Sequence, residues 1–334
     1  KLSDKIGFYK IMIFSLMTSG IAFFGLQFVT SFEGLLVAMF FIMVVADMFR
    51  PAMFVSLGAY AKPENRTRAL TLVRLAINLG FAAGPALGGL LIMTVGYKGL
   101  FWVDGATCIL AILIFWIKVK EKKKSKYTDK EHPGEILTNS VFKDRPFWIF
   151  LGATLITGIL FFQLFTTIPL YHKEQFNLSE LQTGLLLTLN GVLIFFLEMP
   201  IVSYIERHKI NKLKVITLGC LAMAISMYLL LVNQWAGILI IMMLFMTFGE
   251  MFVFPFSNSF AMSRAPKGHE GRYMAIFTMS YSTAHILSAE AGMDMIRLFS
   301  YQNNWFFMGT LGIIGVLLFI WTMKLVKYEP PRNL

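Results

Sequence analysis

Ten apolar stretches follow one another along this chain, and short segments with turn residues or charges separate most of them. A helix needs roughly 20 apolar residues to cross about 30 Å of hydrocarbon. The pattern therefore predicts an all-α membrane protein with ten spans in this sequence. The predicted spans are residues 10–30, 34–57, 69–94, 99–117, 147–170, 181–204, 214–232, 236–260, 273–296 and 304–323.

The composition agrees with lipid as the solvent around these helices. Of the 334 residues, 57% are hydrophobic and 15% are charged, and the mean hydropathy is +0.66, whereas soluble domains carry about 25% charged residues. This composition excludes a soluble enzyme. Cys108 and Cys220 both lie inside apolar stretches, so we expect packing residues there and neither a disulfide nor a metal site.

The basic residues are concentrated on one side of the predicted membrane. The net charge is +11, and with a cytoplasmic N-terminus 26 of the 30 Lys and Arg residues face the cytoplasm. The opposite side holds Lys98, Lys173 and Arg297, and Arg50 lies inside a span. Short cytoplasmic loops of membrane proteins carry this excess. The positive charge therefore reflects topology, and we expect no nucleic-acid partner.

A polar, lysine-rich segment at residues 118–145 divides the chain and separates four predicted spans from six. We interpret residues 1–117 as part of an N-terminal helical bundle, 118–145 as a cytoplasmic linker and 146–334 as a C-terminal bundle. The alternative for the linker is a contact with anionic lipid or with a partner.

Two short patterns recur along the chain at nearly the same offset. The acidic–basic turn at residues 4–7 recurs at 206–209, an offset of 202, and Arg68 and Arg272 are 204 residues apart. Transporters with parallel repeats of six helices place their site between two rocking halves. Four spans before the linker and six after it therefore predict that two helices precede this sequence in a twelve-helix protein.

The first ten residues carry the first resemblance to a known family. They are similar to the G-x-x-x-D-[RK]-x-G-[RK]-[RK] loop of the major facilitator superfamily, which joins helices two and three there. Phe8 and Tyr9 replace the usual basic pair. The positions that match or keep positive charge are Asp4, Lys5, Gly7 and Lys10.

A second resemblance lies in residues 80–89, which match the helix-five pattern G-x-x-x-G-P-x-x-G-G of that family. Within the family this pattern resembles that of drug/proton antiporters, which are exporters. Glycines four apart form a flat strip for a neighbouring helix, and a proline permits a bend; ordinary packing of small residues is the alternative. The matching residues are Gly80, Gly84, Pro85, Gly88 and Gly89.

One pattern of the family is absent. The helix-four pattern R-x-x-Q-G-x-G, linked in the family to proton coupling, is replaced by Asp47-Met-Phe-Arg50-Pro51, so its coupling residues cannot be transferred to this chain. Asp47 and Arg50 are nevertheless candidates, because charges inside a membrane are costly unless they pair or face a cavity. Three residues apart on one helix, they are expected either to pair or to open when a proton or substrate arrives.

Acidic and histidine side chains in the later spans are the other candidates for proton coupling. Glu250 lies near the middle of a span, five residues before Pro255, and is the first choice; a structural pairing is the alternative. His285 is a candidate proton carrier, although a buried packing role is also consistent with its position. Glu290 and Asp294 follow on one face and would form an access path for cations.

Further polar residues are candidates for gating or for substrate contact. Glu198 and Glu206 lie toward the cytoplasmic end of one span, where family members often pair an acidic residue with a loop arginine. Asn78, Gln163 and Asn190 lie near the middle of their spans, where substrate contact and interhelical hydrogen bonds are both open. The Asp4 loop and its partner at Glu206 would act as cytoplasmic latches, and the basic residues of the loop and gating motifs are Arg68, Arg207 and Arg272.

These patterns predict a secondary transporter and no enzyme, since no catalytic, metal-binding or phosphate-binding motif stands out. We expect a monomeric, multi-pass protein of the bacterial inner membrane that exports small cationic or amphipathic compounds in exchange for protons, without a cofactor. Its partners would be a small-molecule substrate, protons and membrane lipids. The alternatives are a proton-coupled importer of sugars, peptides or other metabolites, and a membrane sensor or accessory subunit that does not transport.

Overall fold

The computed structural model describes residues 7–60, 66–121, 141–232, 235–265 and 270–327, and these residues are helical with short connections and contain no strand. The all-α prediction is therefore confirmed for them. Two short 3₁₀ helices lie at Val141–Lys143 and Gln163–Phe165. The α-helices are α1 (Phe8–Leu26), α2 (Phe32–Ala46), α3 (Phe49–Tyr60), α4 (Arg66–Val95), α5 (Tyr97–Lys118), α6 (Arg145–Phe162), α7 (Thr167–Phe176), α8 (Glu180–Arg207), α9 (Lys212–Leu229), α10 (Ile238–Arg264), α11 (Glu270–Leu298) and α12 (Tyr301–Lys327).

Within these described ranges, seven helices are long and apolar enough to cross a membrane. They are α1, α5, α6 with its following 3₁₀ turn, α8, α9, α10 and α12. The predicted count of ten spans is not confirmed. The predicted span 34–57 is divided between α2 and α3, because Asp47 and Met48 form a turn, and α11 carries several polar residues along its length.

The described residues group into two compact units. The first unit comprises the described residues up to 80 together with 87–121. Its α1 and α5 cross at Gly20 and Gly105, where a Cβ added to either glycine would lie 3.0 Å or less from the carbonyl oxygen of the other. The Tyr9 hydroxyl donates to the Val119 carbonyl oxygen at 2.9 Å and ties the same two helices together at their other end.

The second unit comprises residues 81–86 and the described residues from 141 onward. Its core is formed by large buried side chains such as Phe150, Tyr171, Trp305 and Phe319. α6 lies centrally, since it packs against both α11 and α12. Asn190 and Glu250, two candidate residues that contact each other, lie in this unit.

Some predicted features fall outside the described residues. These are Asp4, Lys5 and residues 122–140 of the predicted linker. The backbones of Arg68 and Asn78 lie in α4, but their side chains are outside the description as well. Gly7 is described and precedes α1 with φ of 92°, a backbone conformation that glycine adopts most readily. Lys10 in the first turn of α1 is exposed.

Candidate functional site

A carboxylate and an amide from two helices of the second unit meet at one point. Asn190 of α8 donates from Nδ2 to Glu250 Oε2 of α10 at 3.0 Å and to Thr247 Oγ1 at 3.0 Å. Thr247 in turn donates to the Met243 carbonyl oxygen at 2.6 Å. Asn190 and Glu250 are partly exposed, whereas Thr247 is fully buried. The structure therefore joins two candidates that lie 60 residues apart in the sequence.

Glycines explain how α10 presents Glu250 to α8. Helices α9 and α10 cross at Gly219 and Gly249, where a Cβ added to either residue would lie 2.8 Å from the carbonyl oxygen of the other. This close approach holds the Gly249 face of α10 against α9. Glu250 is the next residue, about 100° further around the helix, so its side chain projects to one side of the contact with α9 and reaches Asn190 of α8.

An aromatic face continues from Glu250 along α10. Phe254 lies four residues later and therefore shares a helix face with Glu250. Its ring packs edge-on against Phe161 of α6 at a centroid distance of 4.8 Å and against Tyr281 of α11 at 5.5 Å. All three rings are partly exposed. A carboxylate beside aromatic rings suits an organic cation, which is attracted by both the charge and the π faces.

His285 extends these aromatic contacts on α11. Its ring lies 4.5 Å from that of Phe162, and both His285 and Glu290 are exposed. Asp294 instead accepts a hydrogen bond from Arg297 at 2.9 Å, so its charge is balanced by a neighbour on the same helix. Among the described residues, no contact joins His285 or Glu290 to Glu250. The access path along this face remains a prediction.

Gln163 connects two helices in the core of the second unit. It is fully buried, and its amide nitrogen Nε2 donates to the Ser288 carbonyl oxygen at 2.9 Å and to Ser288 Oγ at 2.8 Å. Its Oε1 accepts a hydrogen bond from Thr167. Of the two roles left open by the sequence, the interhelical hydrogen bonds therefore account for the buried amide of Gln163.

Asp47 and Arg50 do not form the expected pair. α2 ends at Ala46 and α3 begins at Phe49, so the two residues flank a turn and do not share one regular helix. Both side chains are exposed. No hydrogen bond or ion pair joins them in the described part of the chain. The expectation of a helical pair was wrong because it assumed one continuous helix; their role in coupling stays a prediction.

The candidate gating residues differ in burial. Glu198 is 6% exposed inside α8, whereas Glu206 and Arg207 at the end of α8 and Arg272 near the start of α11 are exposed. The prediction that the exposed residues act as cytoplasmic latches remains untested.

The glycine strip of α4 was expected to pack against a neighbouring helix, and the structure shows a different arrangement. A Cβ added to Gly80 or Gly84 would meet no described atom within 4 Å, so no described helix packs closely on that strip. A Cβ added to Gly88 would lie 3.7 Å from Leu100 Cδ2, which is an ordinary contact. Gly89 is buried. Within the second unit the close approach is made at Gly184 of α8, where an added Cβ would collide with the Pro85 carbonyl oxygen. This partner of Pro85 was not predicted from the residue pattern.

A buried ion pair escaped the sequence analysis. Arg264 Nη2 donates to Asp144 Oδ1 at 2.6 Å, and the side chains are only 5% and 4% exposed. The Tyr273 hydroxyl donates to Asp144 Oδ2 at 3.0 Å, and Asp144 also accepts from the Phe147 backbone N–H at 3.2 Å as the N-cap of α6. The detectable signal was Asp144 followed by Arg145 and Pro146, a typical helix start.

Comparison with known proteins gives the family. The sequence profile of the Major Facilitator Superfamily matches residues 1–289. A Na(+), Li(+), K(+)/H(+) antiporter of Planococcus maritimus is 22% identical over 99% of this chain and 85% of its own length. The uncharacterized MFS-type transporter YttB of Bacillus subtilis is 27% identical over 81% of this chain and 68% of its own length.

Solved structures of this fold are also similar. A POT family transporter in complex with a thioalcohol-conjugated peptide has a TM-score of 0.77 at 16% identity, covering 96% of this chain and 82% of that chain. The human organic anion transporter MFSD10 has a TM-score of 0.65 at 18% identity, covering 95% and 78%. At these identities the likeness shows the fold, and substrates do not transfer with it.

Proposed function

The chain belongs to the major facilitator superfamily and is a multi-pass membrane transporter, and on that premise we propose that it exports small cationic or amphipathic compounds in exchange for protons. The observation that carries the proposal is the Glu250 carboxylate, held by Asn190 at 3.0 Å and followed on the same helix face by Phe254. The cation/proton antiporter among its relatives gives further support.

Competition at one carboxylate is the simplest coupling that this site offers. With Glu250 ionised, the site attracts a cation through the charge and through the rings of Phe254 and Phe161. A proton arriving from outside neutralises the carboxylate and removes most of that attraction. The cation then leaves to the side from which the proton came. Asn190 donates a hydrogen bond to the ionised carboxylate and so keeps it oriented when no ligand is bound.

The wider architecture belongs to the same proposal. We propose ten spans in this sequence, a cytoplasmic side defined by the basic loops, and two helical bundles that alternate access to the site. The helices found at all ten predicted segments support this topology. We also propose that the protein is a monomer and lies in the bacterial inner membrane.

The transport test uses inside-out vesicles that contain the full-length protein and have an acidic interior. We expect that adding a lipophilic organic cation or an alkali cation releases internal protons, which a pH-quenched dye reports as recovered fluorescence. Organic cations and Na⁺, K⁺ or Li⁺ are tested separately, and protein-free vesicles serve as the control. Proton movement with dipeptides or sugars and none with any cation would contradict the proposal and favour metabolite transport.

A further inference from the structure

A cavity of about 500 Å³ lies at one end of the second unit, and neither Asn190 nor Glu250 lines it. The ends of α8 and α12, the start of α9 and the last turns of α10 line it. The distribution of Lys and Arg assigns this end to the cytoplasmic side, at the level of the lipid headgroups. A cavity here is accessible to membrane lipid and to small molecules of the cytoplasm.

One wall of the cavity is apolar and firmly packed. Phe256 and Phe260 of α10 and Val326 of α12 line it. Phe256 and Phe260 are 2% and 8% exposed, and the Phe260 ring lies 4.6 Å from that of Phe150 in the core. Because these rings are part of a packed core, the wall keeps its shape when the cavity is empty. It offers a preformed surface for a hydrocarbon chain.

The lining of the cavity contains two cations that form no ion pair with any residue the structure describes. Lys212 Nζ is held by Ser259 Oγ at 2.7 Å and is half-buried, and no described carboxylate lies within ion-pair distance of it. Lys209 lies in the turn before α9, with a φ of 52° in the left-handed region, and also lines the cavity. Glu206 is the acidic residue in the lining, and it pairs with neither lysine.

We infer that this cavity binds an amphiphile with a phosphate headgroup that carries a single negative charge. The phosphate oxygens would accept hydrogen bonds from Lys209 and Lys212, and an acyl chain would lie against Phe256 and Phe260. With Glu206 included, the lining has one net positive charge. A phosphodiester with one charge matches this lining better than a doubly charged phosphate monoester. The inferred ligand is therefore an inner-leaflet phospholipid with a phosphodiester headgroup.

The test measures binding of fluorescent phosphatidylglycerol to the purified full-length protein in detergent. We expect Lys212→Gln and Lys209→Gln each to weaken binding about fivefold, the effect of one lysine near an anionic headgroup. Lys214→Gln is the matched control, because Lys214 is exposed in the same turn of α9 but does not line the cavity; it should change binding less than twofold. Thermal unfolding of each variant confirms that it is folded.

Competition experiments test whether the acyl chain is bound together with the headgroup. Displacement by unlabelled phosphatidylglycerol and not by its deacylated headgroup, glycerophosphoglycerol, supports the inference, whereas equal displacement by the headgroup would show that no acyl chain is bound and would overturn it. Phosphatidylcholine, which has no net charge, should compete poorly. Equal binding by phosphatidylcholine, or equal losses in the Lys214 and Lys212 variants, would overturn the inference. None of these outcomes depends on transport, so they are independent of the proposed antiport.

Discussion

Glu250→Gln is expected to reduce cation-driven proton release in inside-out vesicles to the level of vesicles without the protein. Glutamine has nearly the same shape and keeps an oxygen that accepts the Asn190 amide hydrogen at the position of Glu250 Oε2. It carries no charge and takes up no proton. The variant therefore removes the competition between cation and proton while it leaves the contact between α8 and α10 in place.

Two further variants show whether the charge of Glu250 is responsible. Glu250→Asp keeps the carboxylate, and we expect part of the activity to remain. Glu33→Gln is the matched control, because Glu33 is an exposed acidic residue in the first turn of α2; proton release should equal that of the wild type. Normal proton release by Glu250→Gln, at equal amounts of folded protein, would remove Glu250 from the coupling step.

Asp144→Asn is expected to lower the free energy of unfolding by about 3–5 kcal/mol, because it leaves the Arg264 guanidinium buried without its full counter-charge. The side chains of this pair are 5% and 4% exposed, so water does not replace the lost carboxylate. Unfolding by dodecyl sulfate in mixed micelles measures the change. The double variant Asp144→Asn with Arg264→Gln should recover part of the loss, since the buried guanidinium that faced the Asp144 carboxylate is then removed as well.

The exposed ion pair of α11 provides the control for this prediction. Asp294 and Arg297 are 51% and 74% exposed, and surface pairs of this kind contribute about 0–1 kcal/mol. Asp294→Asn should therefore have little effect on unfolding. A loss for Asp144→Asn as small as that for Asp294→Asn would show that the buried network of Asp144, Arg264 and Tyr273 does not hold the second unit together.

The positions of the helices could be predicted from the sequence, because apolar runs in lipid must satisfy their backbone hydrogen bonds internally. All ten predicted segments contain a helix in the structure. It was harder to predict which of these helices are long and apolar enough to cross a membrane. The turn at Asp47 and Met48 interrupts an otherwise apolar run, and hydropathy averaged over a window does not detect such a break.

The sequence pattern could not predict which side chains contact each other. Asn190 and Glu250 were both recognisable as polar residues inside spans, but their contact depends on how α9 and α10 cross at Gly219 and Gly249. Periodicity within one helix contains no information about its neighbour. Only the structure therefore combines them into one candidate site.

The buried pair was missed for another reason. Asp144 and Arg264 lie at the ends of helices 120 residues apart, in segments where charge is expected to face water. By sequence position, Arg264 is therefore one more of the positive charges expected on the cytoplasmic side. Its burial arises because α6, α10 and α11 converge at that end of the second unit, which the residue types alone do not indicate.

The central claim is that a proton and a cation compete for Glu250, and proton release on binding tests it most directly. The purified full-length protein in weakly buffered detergent solution is titrated with a cation that drives proton release in vesicles, while a pH dye records the protons set free. We predict about one proton per bound cation in the wild type and none in Glu250→Gln. Cation binding without proton release in the wild type, or undiminished release in the variant, would contradict the account.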